Sequence, residues 1–61
     1  MAVERAFSCG NSKYYVVDFH GLCIVQREDW LGRTFLTYAR NIAEAIAFIE
    51  ADARSWQIRA A

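Results

Sequence analysis

Proline is absent from this chain of 61 residues, glycine occurs three times, and the one lysine stands against six arginines. Net charge is missing too, with seven acidic side chains against seven basic ones. A reader of phosphate backbones normally carries a basic excess, because each phosphate contact needs a cation. A mimic of nucleic acid would carry an acidic excess. Neither class fits. No run approaches the roughly 18 apolar residues of a membrane span, since Asp18, Gln26 and Arg27, then Glu44, Glu50 and Asp52, break the longest stretches. The opening residues Met1 to Arg5 lack the basic-then-apolar pattern of a secretory signal. The expectation is a cytoplasmic protein with no membrane partner.

Catalytic and cofactor motifs are missing as well. There is no P-loop, no GxGxxG, no HExxH and no CxxC. His20, Asp18 and Ser8 or Ser12 do not make a recognisable nucleophile, base and oxyanion arrangement. The chain is expected to be a non-enzyme with no cofactor.

What is present is a short apolar-rich chain, 56% hydrophobic and 23% charged, within the range of folded domains. A single domain of residues 1–61 buries only about 60% of the surface its unfolded chain exposes. Below about 70–80 residues, a disulfide, a metal or a second chain usually supplies the deficit. Cys9 and Cys23 read as buried or half-buried apolar residues of a reducing compartment. A zinc site from Cys9, Asp18, His20 and Cys23 would have only three sulfur or imidazole ligands, where structural zinc prefers four. No metal is therefore assigned, and a metal-stapled domain is kept only as an alternative. A protein partner or self-association becomes the expected support.

The pattern predicts strands over about 3–9, 14–19, 22–28 and 33–38 and a helix over about 42–58. Gly10-Asn11-Ser12-Lys13 is a turn cluster, and His20-Gly21 a two-residue hairpin loop in which Gly21 tolerates positive φ. Asn41 and Glu44 form the two halves of a helix capping box. Ile42, Ala45, Ile46, Ile49, Ala53 and Trp56 follow four-three spacing and fall on one stripe. The fold class is α+β: a three- or four-stranded antiparallel meander with one C-terminal helix packed across one face.

The His20-Gly21 loop pairs Phe19 with Leu22, Val17 with Ile24 and Tyr15 with Gln26. Tyr15, Val17, Phe19, Leu22 and Ile24 then read as the floor for the helix. Tyr14, Val16, Asp18, Cys23, Val25 and Arg27 read as the open face, to which the last strand adds Phe35 or the pair Leu36 and Tyr38. An uncovered apolar patch of several hundred Å² marks a protein-contact site. The expected contact residues are therefore Tyr14, Val16, Val25 and Arg27. Trp30 either folds back onto the helix end or, with Leu31, offers an anchor for a partner's pocket. The alternative is a nucleic-acid-binding sheet using Arg5, Arg27, Arg33 and Arg40.

Phe35-Leu36-Thr37 followed by Glu44-Ala45 resembles the strand-to-helix junction of the DNA-binding arms of phage-type integrases. That resemblance covers Tyr14 to Phe48 and implies three strands, a helix and a DNA partner; the interval from Thr37 to Glu44 is longer here. In length and lack of proline the chain is also similar in type to compact phage inhibitors such as anti-CRISPR proteins. This likeness implies a phage-encoded inhibitor that occludes a partner's surface, with homodimerisation through the open sheet face.

Overall fold

The computed structural model describes residues 2–60, with side chains described through Ser55. Strands β1 (Val3–Cys9), β2 (Ser12–Phe19), β3 (Leu22–Asp29) and β4 (Gly32–Ala39) form one antiparallel sheet in the order β1-β2-β3-β4. Helix α1 (Ile42–Ala60) follows and packs across one face. No helix among the described residues is long and apolar enough to cross a membrane.

Each connection has its own chemistry. His20 and Gly21 both take positive φ, 54° and 79°, the requirement of the tight turn whose twist matches its flanking strands. Asn41 caps α1 by accepting the Glu44 N–H on Oδ1 at 2.8 Å. The Glu44 carboxylate reaches back to the Arg40 N–H at 3.4 Å, one residue before the cap, so the box is closed loosely.

The β2–β3 pairing places Phe19 opposite Leu22, Val17 opposite Ile24 and Tyr15 opposite Gln26. The helix, however, lies on the other side of the sheet from the one expected. Tyr14, Val16, Cys23 and Val25 are buried beneath it with Ala39, against Ala45, Ile49 and Ala53. Tyr14, Val16 and Val25 are therefore core residues and not contact residues. Arg27, on the same side, is occupied by the helix. The Trp56 side chain lies outside the described residues.

A polar contact accounts for the choice of side. Asp52 of α1 accepts the Tyr14 hydroxyl at 2.6 Å and the Arg27 guanidinium at 2.9 Å on the same oxygen. Tyr14 and Arg27 stand side by side across β2 and β3. On the opposite face the corresponding groups are already engaged, Arg33 with Glu4 and the Tyr15 hydroxyl with Glu28. Small helix residues Ala45 and Ala53 let the helix backbone approach Tyr14 and Val25 closely.

One irregularity decides the composition of the uncovered face. Val25 pairs with Thr37 and Gln26 with Phe35, so Leu36 is an extra residue in β4, a bulge. Strict alternation would put Phe35 and Tyr38 on opposite faces. The bulge brings both to the uncovered side, their rings 4.8 Å apart, and sends Leu36 against the core.

Candidate protein-contact site

The uncovered face is built in rows across the sheet. Phe19 and Leu22 form the first; Glu4, Val17, Ile24 and Tyr38 the second. Ala6, Tyr15, Gln26 and Phe35 make the third, and Ser8, Lys13, Glu28 and Arg33 the fourth. The first three rows are largely apolar and the fourth is polar. Phe19, Leu22, Phe35 and Tyr38 are each 43–58% exposed, too much for side chains of a sheet interior and contiguous across three strands.

Not all of this face is bare. Arg33 reaches from β4 over the Tyr15 ring, its guanidinium carbon 3.5 Å from the centroid. It ends on the carboxylate of Glu4, at 2.5 and 3.4 Å. That hydrogen bond holds the Glu4 carboxyl below the usual carboxylate range and raises the Arg33 guanidinium. The Lys13 ammonium lies 5.8 Å from the same ring centroid, and the Tyr15 hydroxyl donates to Glu28 at 3.0 Å. Tyr15 is thus capped by the chain's own charges, whereas Val17, Phe19, Leu22, Ile24, Phe35 and Tyr38 are left as the apolar patch.

The Trp30-Leu31 tip joins β3 to β4. Trp30 is 90% exposed and Leu31 78%, so Trp30 does not fold back onto the helix. Asp29 Oδ1 accepts the Leu31 N–H at 2.9 Å, and Gly32 closes the turn at φ 122°. An added Cβ at Gly32 would meet nothing within 4 Å, so the requirement for glycine is one of backbone conformation alone. The Gly32→Ala chain is expected to lose about 2 kcal/mol in urea unfolding. Trp30→Ala is expected to stay within about 0.5 kcal/mol of the parent.

The arginines of the nucleic-acid alternative do not gather. Arg27 is held by Asp52 on the helix side, and Arg33 by Glu4 on the open side. Arg5 pairs across from Val16, on the helix side of the edge strand, and Arg40 precedes α1. Cys9 sits at one end of the sheet beside Ser12, Cys23 at the other beside Asp18, and both are free. Burial, and then Asp18, push the Cys23 thiol up, which keeps it protonated and unreactive. No group of three or more potential metal ligands occurs among the described residues.

No family model, no curated protein and no solved structure matches this chain. Its surfaces alone carry the functional reading. Phe19 and Leu22 are expected beneath the helix and lie instead on the uncovered face, while Phe35 and Tyr38, expected there only as alternatives of register, are both present because of the bulge. Asp52 was missed because a lone acid on a helix carries no sequence signal until its partners are in place.

Proposed function

We propose that this chain is a non-enzymatic protein-binding module that acts by covering, and being covered by, an apolar and electrically neutral protein surface. The supporting observation is the patch of Val17, Phe19, Leu22, Ile24, Phe35 and Tyr38, on a sheet whose helix α1 lies on the other side. Its four half-exposed side chains present on the order of 400 Å², as large as the biggest patches monomers tolerate, about 300–600 Å². At about 25 cal/mol per Å² that area represents roughly 10 kcal/mol gross before the costs of association. The charges bordering it are two acidic and two basic, Glu4, Glu28, Lys13 and Arg33. A phosphate backbone finds no cluster of cations there.

Site-specific photo-crosslinking tests the reading. A photoreactive phenylalanine at position 35 or 38, in cells expressing the chain, should give protein adducts. The same group at Ala47, on the exposed outer side of α1, should give few. Equal adducts from both faces, adducts only to nucleic acid, or none from positions 35 and 38 would sink the proposal.

A further inference from the structure

We infer that the occupant of the open face is a second copy of this chain, docked face to face about a two-fold axis that runs along the strands between β2 and β3. This rests on the contact-face reading above and adds the partner and its orientation.

The first argument is size. Four strands about 4.8 Å apart and about seven residues of 3.3 Å each span roughly 19 by 23 Å. Side-chain relief raises that projection to an accessible area on the order of 600–800 Å² per copy. Two such faces bury about 1,200–1,600 Å², inside the range of stable protein interfaces. The product would be two stacked sheets with a helix on each outer side, the strands aligned within about 30°.

The second argument is charge and volume. A two-fold axis along the strands, midway between β2 and β3, sets β2 of one copy over β3 of the other and β1 over β4, row by row. Lys13 then stands over Glu28 of the second copy, and Glu28 over its Lys13. Val17 meets Ile24, Phe19 meets Leu22, small Ala6 lies opposite large Phe35, and Glu4, which keeps its pairing with Arg33 of its own chain, lies opposite Tyr38 at the interface edge. Every position on β2 and β3 thus faces the residue type it already pairs with inside its own sheet. A self-contacting patch needs this property, since one surface must complement itself. The other in-plane two-fold, perpendicular to the strands, would drop the charged row onto Phe19 and Leu22 and bury Lys13 and Glu28 against apolar rings. The row pattern selects the first axis.

Sedimentation across micromolar to millimolar concentration, followed by chain mixing, tests this. The parent chain should weigh 14.0 kDa, twice 7.0 kDa. Phe35→Glu should stay folded by circular dichroism while dissociation rises at least about a hundred-fold. Lys13→Glu and Glu28→Lys should each dimerise poorly alone. Mixed, they should form the heterodimer with about ten-fold preference, because acidic positions 13 and 28 of one chain then face basic ones of the other. Mixing leaves the repulsion inside each sheet unchanged, so any preference comes from the interface.

A mass of 7.0 kDa at every concentration would overturn the second-copy inference, while adducts to a different protein from position 35 would leave the contact-face reading standing. A dimer that survives Phe35→Glu would overturn the second-copy inference by placing the interface elsewhere, and the crosslinks from positions 35 and 38 would still decide the contact-face reading. A dimer lost in Phe35→Glu but showing no preference on mixing would overturn the proposed axis.

Discussion

The Val16→Glu and Val25→Glu chains will be unfolded at neutral pH and room temperature. Both valines are 0–1% exposed beneath α1. A glutamate there must either hold a charge away from water or take up a proton, and raising a buried carboxyl by three or four pH units costs about 4–5 kcal/mol. The lost valine burial adds roughly 1.5–3 kcal/mol. A domain of this length is stable by only about 3–9 kcal/mol, so most or all of that stability goes. Far-UV circular dichroism reads the result directly. Phe35→Glu, on the face away from the helix, is the control and should keep the parent spectrum. A folded Val16→Glu chain would mean that the helix covers the other face.

Second in size is the contact that docks the helix. Asp52→Ala removes the acceptor shared by Tyr14 and Arg27, whose side chain, like that of Asp52, is less than one-fifth exposed. Losing a charge-assisted pair together with the acceptor of a buried hydroxyl should cost about 2–4 kcal/mol. Urea midpoints of the two chains give that difference. The same contact sets an alkaline limit. Burial, and then donation to Asp52, push the Tyr14 hydroxyl up to about 12 from its ordinary value of 10.0. Between about pH 10 and about pH 12 the unfolded chain gives up this proton while the folded chain keeps it. Stability therefore falls as pH rises through that window, by about 2–3 kcal/mol in all. Tyr14→Phe should be weaker than the parent by about 1 kcal/mol at neutral pH. Tyr14's share of the alkaline loss should then be gone. Equal pH slopes for parent and variant would rule out Tyr14 as their source.

The turns were readable in the sequence because glycine and its neighbours have few uses. Gly21 and Gly32 mark the tight corners, and the β-branched run between Tyr14 and Phe19 can hardly be anything but strand. Parity then follows from the His20-Gly21 loop. The side taken by the helix does not, because Tyr14, Val16 and Val25 on one face are as apolar as Tyr15, Val17 and Ile24 on the other. Alternation says which residues share a face and is silent about which face is covered. Pairing breaks the tie: Tyr14 and Arg27 on one side meet Asp52 of the approaching helix, whereas Tyr15 and Arg33 on the other are taken by Glu28 and Glu4. The bulge at Leu36 was beyond reach for a similar reason. An extra residue in a strand changes which side chains align without changing composition.

That extra residue also bears on whether assembly stops. A sheet with two open edges can recruit further strands indefinitely, and flat regular edges are the ones that do. β4 ends the sheet on one side with a kink at Leu36, and β1 on the other with Arg5 turned toward the covered face. Deleting the single codon for Leu36 would leave Phe35 opposite Gln26 and Tyr38 opposite Ile24, so the contact face would survive intact. The edge would become straight. Under the face-to-face pairing inferred above, such a chain would keep its docking chemistry and lose its terminus, and a closed pair would become a seed for filaments.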